Sequence, residues 1–204
     1  LIDKNIRTVN MLGCHDGIPL LDLKGILAED RIQKLIDIIV SRGGYVKDLH
    51  GQKNIYYQVN ATYFSALGED ERKMLLARAL QIFMPGKPQI WYLDLFAGKN
   101  DYEAVKMAGP GGHKEINRTN LTTAQVCSGL SKPIVKQQLE LLRFRNSCPA
   151  FSEESRIKVS SEGSRICFVW EHQGCAQLKA DLQDCSYVIE FCDQDRKRTL
   201  ITEG

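Results

Sequence analysis

The pattern of hydrophobic residues changes near Cys148-Pro149-Ala150-Phe151, and this change constrains the fold more than any other feature of the chain. Before it, apolar residues recur at helical spacing in segments that follow strand-like runs. After it, short segments alternate apolar and polar residues and are separated by turn signals. The sequence therefore predicts an α/β region of roughly 150 residues followed by a small antiparallel all-β domain.

Helices are predicted over 29–40, 68–84 and 133–146, and strands that lead into polar loops are predicted over 6–13 and 89–96. Two further stretches are expected to be loops. They are the polar segment 47–57 and the glycine-rich segment 108–122.

Strands that alternate with helices and end in polar loops are typical of a (β/α)₈ TIM barrel, where the chemistry lies at the C-terminal ends of the strands. Such a barrel needs about 250 residues, or roughly 200 at the least. The first region supplies only two strands, so it cannot close a barrel by itself. The chain also begins at Leu1 rather than Met. The sequence thus predicts the C-terminal part of a longer barrel protein.

Composition excludes several classes of function. The 204 residues carry a net charge of +2, which points neither to nucleic acid nor to an anionic membrane as a partner. No apolar run is long enough to cross a bilayer. The seven cysteines lack CxxC spacing and favour free thiols of a cytoplasmic protein over a disulfide framework or a zinc site.

The first predicted strand runs directly into His15-Asp16 and then turns at Gly17. From these residues alone, a strand end with two polar side chains in water is the simpler interpretation. The alternative is an active site at the mouth of a barrel.

Four segments favour the alternative: HDGI at 15–18, YQVNATYFSALG at 57–68, ARALQIFMPGKPQIWYLDLFAGKND at 77–101 and EINR at 115–118. In this order they resemble the sucrose phosphorylase branch of the alpha-amylase superfamily of retaining glycoside-active enzymes. The resemblance implies the last part of the barrel, a small inserted subdomain and a short C-terminal β domain. The implied domains are strand seven with the His-Asp pair (1–17), the insertion (18–60), the last helices with strand eight (61–151) and the β domain (152–204).

The resemblance also implies roles for residues. Asp16 would stabilise the oxocarbenium-like transition state, and His15 would bind a hydroxyl of the glucosyl ring. Gln58 would meet the acceptor, on a mobile loop that includes Tyr56 and Tyr57. The two tyrosines could equally anchor the loop by packing alone.

Arg118 would reach the glucose subsite. The stretch before it, with His113 and Lys114 after the glycines at 109–112, is more similar to the sucrose 6'-phosphate phosphorylases of the branch than to the sucrose phosphorylases. Lys114 and His113 could bind a phosphate on the fructosyl group. Alternatively, Lys114 is solvated and only Arg118 acts.

The implied activity is glucosyl transfer from sucrose or sucrose 6'-phosphate to inorganic phosphate, giving α-glucose 1-phosphate. No metal or organic cofactor is implied. The nucleophile and the general acid/base of the family lie on strands outside this chain, so the chain alone is expected to be inactive. The alternatives are another α-glucoside phosphorylase, such as one acting on glucosylglycerate, a hydrolase, and an inactive sugar-binding homologue. An exposed edge of the β domain could form a homodimer or pack on the barrel.

Overall fold

The computed structural model of the protein describes residues 8–48, 56–193 and 196–201. Its helices are α1 (Glu29–Ser41), α2 (Tyr63–Ala66), α3 (Glu71–Phe83), α4 (Tyr92–Leu95), α5 (Tyr102–Ala108), α6 (Thr123–Gly129) and α7 (Pro133–Ser147), with 3₁₀ helices at Leu21–Leu23 and Gly112–Asn117. Its strands are β1 (Val9–Asn10), β2 (Ile18–Pro19), β3 (Tyr45–Asp48), β4 (Tyr56–Asn60), β5 (Lys87–Pro88), β6 (Arg156–Glu162), β7 (Arg165–Glu171), β8 (Cys175–Asp181), β9 (Ser186–Asp193) and β10 (Arg196–Ile201). Within these described ranges, no helix has both the length and the apolar character that a membrane span requires.

The chain divides into two compact units, each assembled from separate stretches of sequence. The first unit comprises Leu1–Asn10, Glu71–Gln89 and Lys132–Gly204, and the second comprises Met11–Asp70 and Ile90–Ser131. The consecutive domain boundaries that the resemblance implies stay a prediction.

The first unit contains the predicted all-β domain, as an antiparallel meander in the order β10-β9-β8-β7-β6. Alternation places one set of side chains on the buried face, among them Phe168, Trp170, Leu178 and Ile189. The alternating segments 156–160, 164–172, 175–181 and 187–192 predict four strands, and β6 to β9 confirm them. The fifth strand, β10, was not predicted, because its charged sequence RKRTLI lacks a clear alternation.

An aromatic cluster joins the sheet to α3 within this unit. The indole Nε1 of Trp170 donates a hydrogen bond to the carbonyl oxygen of Phe83 at 2.9 Å. The Phe151 ring lies edge-on to both of these rings, with centroids 5.2 Å away. The guanidinium of Arg145 stacks over Phe151, 4.3 Å from its centroid, and burial lowers the pKa of Arg145 to about 10.

The prediction of a strand over 89–96 is wrong. The strand that pairs in parallel with β1 is β5, and α4 follows it. A Schellman motif ends α4, because Ala97 is left-handed (φ 49°) and the amide of Gly98 donates to the carbonyl of Leu93 at 2.7 Å. A continuous apolar run does not distinguish a buried strand from a buried helix, which explains the error. The predicted strand 6–13 pairs only at β1, and its residues 6 and 7 lie outside the described residues.

In the second unit, α1 covers the three-stranded antiparallel sheet β2-β4-β3. Ile32, Ile36 and Ile39 of α1 pack with Val59 of β4 and Leu20 in one hydrophobic cluster. The predicted helix is confirmed, and its buried face is the one that the periodicity indicates. Helix α7 is likewise confirmed: it begins at the predicted residue and ends one residue later. Helix α3 is also confirmed, but it begins at Glu71, three residues after the predicted start, and ends one residue early.

The two predicted loops are wrong in part. The segment 47–57 contains the end of β3 and the start of β4, and residues 49–55 lie outside the described residues. Of the predicted mobile active-site loop 54–58, residues 56–58 belong to β4 and residues 54 and 55 lie outside the described residues, so its mobility stays a prediction. The glycine-rich segment folds into the 3₁₀ helix Gly112–Asn117, after Gly109 and Gly111 have turned the chain with φ values of 70° and 86°.

Candidate functional site

The segment from Gly13 to Gly17 carries the predicted His-Asp pair and is held as a tight turn in the second unit. The amide of Gly17 donates to the carbonyl of Cys14 at 3.1 Å. Gly17 has φ +90°, and a Cβ at this position would overlap the carbonyl oxygen of Val59. Glycine is therefore required here both for its backbone conformation and for the close approach of β4.

Three side chains hold three successive carbonyl groups of this turn. Asn117 Nδ2 donates to the carbonyl oxygen of Cys14 at 2.7 Å, and Arg118 Nε donates to that of His15 at 3.1 Å. From β4, Asn60 Nδ2 donates to the carbonyl oxygen of Asp16 at 3.0 Å. The backbone below His15 and Asp16 is therefore fixed by side chains from two distant segments of sequence.

Helix α4 supports the same turn. The buried carboxylate of Asp94 accepts a hydrogen bond from the amide of Gly13 at 3.0 Å. The Trp91 ring lies beside the His15 ring, with centroids 6.0 Å apart. The hydroxyl of Tyr92 donates to the carbonyl of Thr119 at 2.6 Å, and burial raises the pKa of Tyr92.

The His15 and Asp16 side chains form a pair that is open to solvent. His15 Nε2 lies 3.3 Å from Asp16 Oδ2, and the two side chains are 58% and 51% exposed. Arg118 Nη2 lies 3.4 Å from Asp16 Oδ1, and Arg118 Nη1 lies 3.7 Å from Glu115 Oε1. An accessible carboxylate that is oriented by a guanidinium can face a ligand and stabilise positive charge that develops on it.

The structure brings His15, Asp16 and Arg118 together, and the roles that the resemblance implies for them stay predictions. Gln58 lies two residues before Asn60 on β4, so both side chains lie on the same side of the strand. Its side chain is buried, and among the described residues its Nε2 has no hydrogen-bond partner. The predictions for the side chains of Tyr56 and Tyr57 lie outside the described residues.

His113 and Lys114 lie in the 3₁₀ helix that ends just before Arg118. Both are partly buried. In the described part of the chain, no hydrogen bond or ion pair joins Lys114 to His15 or Asp16. Their predicted contact with a phosphate group stays a prediction.

One group of potential metal ligands occurs among the described residues, and it coincides with the turn. The thiol of Cys14, the imidazole of His15 and the carboxylate of Asp16 offer ligand atoms within 4.8 Å of one another. The guanidinium of Arg118, 3.4 Å from Asp16, opposes a cation at this carboxylate.

Sequence reasoning missed Asn60, Trp91, Asp94 and Asn117. All four stand inside the segments 57–68, 77–101 and 115–118 that carried the family resemblance, but nothing in their spacing indicates which groups of the turn they contact. Each contact joins residues at least 44 positions apart, so a local pattern does not encode it.

Comparisons with known proteins identify relatives of the chain. No family model matches it. It is 52% identical over 199 residues to a sucrose 6(F)-phosphate phosphorylase of Ilumatobacter coccineus, an alignment that covers 93% of this chain and 38% of that protein. The chain is a homologue of the sucrose phosphorylases.

The structure of the phosphorylase from Thermoanaerobacter thermosaccharolyticum, also a sucrose 6F-phosphate phosphorylase, matches with a TM-score of 0.89 and 33% identity. This match covers 97% of the present chain and 40% of the phosphorylase. A glucosylglycerol phosphorylase of Marinobacter adhaerens is 34% identical, over 94% of this chain and 40% of that protein. The chain thus spans about two fifths of the length of these phosphorylases and has the fold of their C-terminal part, as the resemblance implied.

Proposed function

We propose that this chain forms the C-terminal part of a retaining sucrose 6'-phosphate phosphorylase, the activity named for the 52% identical relative. One observation in the structure carries the proposal. The solvent-open carboxylate of Asp16 is oriented by Arg118 and His15, on a turn whose backbone is fixed. A carboxylate held in this way can stabilise the positive charge that develops on a bound sugar.

The proposed reaction has two displacements. A carboxylate attacks the anomeric carbon of the glucosyl group while a general acid protonates the leaving fructosyl oxygen, and inorganic phosphate then displaces the carboxylate. The products are α-glucose 1-phosphate and fructose 6-phosphate, or fructose if the donor is sucrose. Both catalytic carboxyl groups are proposed to lie on segments outside this chain. A closed site that excludes water would favour phosphate over hydrolysis.

Asp16 is proposed to stabilise the oxocarbenium-like transition state, and His15 to bind a hydroxyl of the ring. All three nitrogens of the Arg118 guanidinium have a partner within the chain. Nε donates to the carbonyl of His15, Nη1 lies near the carboxylate of Glu115, and Nη2 lies near that of Asp16. Because a guanidinium has five N–H donors, two remain for a sugar hydroxyl. We therefore assign Arg118 first to the orientation of Asp16 and second to the glucose subsite.

The phosphate of the donor is proposed to bind at His113 and Lys114, with Gln58 at the acceptor position. In support, an added Cβ at Gly109 or Gly111 would meet no atom within 4 Å, so the backbone there is open to an approaching ligand. A cationic side chain beside such an uncovered backbone turn can bind phosphate through its charge.

The experiment uses the protein purified from its complete reading frame, with inorganic phosphate and either sucrose or sucrose 6'-phosphate. Release of glucose 1-phosphate from the phosphorylated donor is expected. Lys114→Ala should lower kcat/KM for sucrose 6'-phosphate by about tenfold and leave that for sucrose within about twofold, as loss of one charge-assisted contact predicts. Lys34→Ala, an exposed lysine of α1, is the control. Equal losses on both donors would contradict the phosphate site.

A second candidate is an α-glucoside phosphorylase with another acceptor, and the 34% identical glucosylglycerol phosphorylase favours it. Glucosylglycerol and glucosylglycerate therefore belong in the donor panel. Turnover of one of them alone would support this candidate. Release of glucose without glucose 1-phosphate would indicate a hydrolase, and turnover of no donor would indicate an inactive homologue.

We further propose that the protein works in the cytoplasm, since all seven cysteines are free thiols. A homodimer through the sheet is the remaining prediction about partners. The edge strand β6 is exposed along most of its length, so it offers unpaired backbone groups to a second copy.

A further inference from the structure

We propose that Asn117 is a positioning residue that fixes the backbone of the turn Cys14–Asp16. Its effect on turnover rests on the proposed function, but its effect on the turn does not. Among the described residues, no hydrogen bond or ion pair joins Asn117 to the side chain of His15 or Asp16. It acts through the carbonyl of Cys14, to which its Nδ2 donates at 2.7 Å.

Asn117 and Arg118 are consecutive residues, and both hold the backbone of the turn. Asn117 and Arg118 bind the carbonyl groups of Cys14 and His15, respectively, so two neighbouring side chains hold two neighbouring peptide groups. This arrangement fixes the register of the turn against the end of the 3₁₀ helix. A displacement of the Asn117 contact would therefore also displace Arg118 relative to Asp16.

The side chains that hold the turn are buried, whereas the side chains that the turn presents are exposed. Asn117 is 1% exposed and Asn60, which holds the next carbonyl, is 0% exposed. The side chains of His15 and Asp16 are more than half exposed. The restraint on the turn therefore lies in the buried backbone contacts, because the exposed side chains of His15 and Asp16 can change rotamer while these contacts persist.

The contact between Asn117 and Cys14 requires a hydrogen-bond donor on the side chain. Only the amide nitrogen of Asn117 can serve the carbonyl of Cys14, since that oxygen is an acceptor. Asn117→Asp keeps the shape but places a carboxylate oxygen against a carbonyl oxygen. The substitution should push the turn away from the 3₁₀ helix without leaving a cavity.

The experiment measures the turn and the activity separately in the protein purified from its complete reading frame. The first readout is the rate at which iodoacetamide modifies Cys14, followed by mass spectrometry, with Cys127 as an internal exposed standard. Asn117→Asp should raise the Cys14 rate by about tenfold, as expected for a turn that opens more often. Asn120→Asp is the matched control, because Asn120 is exposed three residues further on and should leave the rate within about twofold.

The second readout is a double-mutant cycle on glucose 1-phosphate formation. Asn117→Asp should lower kcat by about 100-fold, the loss expected from a small misplacement of a catalytic group. In an Asp16→Asn background, the same change should cost less than about threefold, because the contact that it misplaces is already lost. A purely structural role would give equal factors in the two backgrounds.

A Cys14 rate within about twofold of wild type in Asn117→Asp would overturn the proposal. If Asn117→Asp does not fold, Asn117→Ala removes the donor without adding charge and is judged by the same two criteria. If the wild-type protein turns over no donor, the proposed function fails, and the Cys14 rate alone decides the role of Asn117.

Discussion

Arg118 and Asp16, 102 positions apart in sequence, form an ion pair in which Nη2 lies 3.4 Å from Oδ1. The two side chains are 31% and 51% exposed, so solvent screens the pair and it adds little to stability. Its consequence is orientation. The same guanidinium also donates to the carbonyl of His15, so one side chain restrains both the backbone and the carboxylate of the candidate site.

The carboxylate of Asp16 gives the first prediction. Asp16→Asn should lower kcat of the complete protein by about 10³-fold or more, since a neutral amide stabilises developing positive charge far less than a carboxylate does. Circular dichroism and the thermal melting midpoint should be unchanged, because the side chain is exposed.

The control is Asp22→Asn, an exposed carboxylate in the 3₁₀ helix Leu21–Leu23. Its kcat should stay within about twofold of wild type. Near-normal turnover of Asp16→Asn, with the same donor, would remove the catalytic role of this residue.

Gly17 gives a prediction about stability. Gly17→Ala places a methyl group against the carbonyl of Val59 and also strains a left-handed backbone, so it should destabilise the protein by about 2–4 kcal/mol. Gly25→Ala is the matched control. Gly25 has φ +82° but no atom within 4 Å of an added Cβ, so only the backbone strain of about 1 kcal/mol applies. Urea unfolding measures both, and equal losses would show that the close approach of β4 is not limiting.

The hydrogen bond from Trp170 to Phe83 gives a third prediction. Trp170→Phe leaves the last carbonyl of α3 without its donor and should cost at least about 1 kcal/mol more than Trp91→Phe. Among the described residues, Trp91 Nε1 has no hydrogen-bond partner, so its replacement loses no such bond. Denaturant unfolding of the two variants gives the difference, and a smaller loss for Trp170→Phe would contradict the role of the bond.

The thiol of Cys175 gives a prediction about pH. Burial, and then the charges of Glu171 and Cys192, raise the pKa of Cys175 above the ordinary thiol value. The alkylation rate of Cys175 should therefore rise only at a pH above that value, and Glu171→Gln should move the rise to lower pH. Since the pKa is higher in the folded than in the unfolded chain, the stabilising contribution is complete at neutral pH and is lost as the pH rises through the folded pKa. A rise of the rate at or below the ordinary value would contradict the assignment.

Several elements could be read from local patterns. The spacing of Ile32, Ile36 and Ile39 identifies α1 and its buried face, and the alternation after residue 155 identifies β6 to β9. The continuous run at 89–96 misled the prediction because it has no period. Burial of Leu93 and Asp94 in a short helix depends on partners elsewhere in the chain.

In the candidate site too, the sequence identified some residues and only the structure identified others. The family resemblance, rather than any local pattern, led to His15, Asp16 and Arg118, and the structure places these three together. Asn60, Asp94 and Asn117 could not be assigned from the sequence, since each acts on a backbone group of the turn that is distant in sequence.

The sequence by itself determined the order of the main helices and strands, the change to an all-β meander and the kinship with the phosphorylases. Only the tertiary structure decided which polar side chains hold the turn at Cys14–Asp16 and which of them face solvent. The physical reason is that periodicity reports the burial of a residue relative to its sequence neighbours. Hydrogen bonds such as that from Asn117 to Cys14, 103 positions apart, exist only after the chain has folded and brought donor and acceptor together.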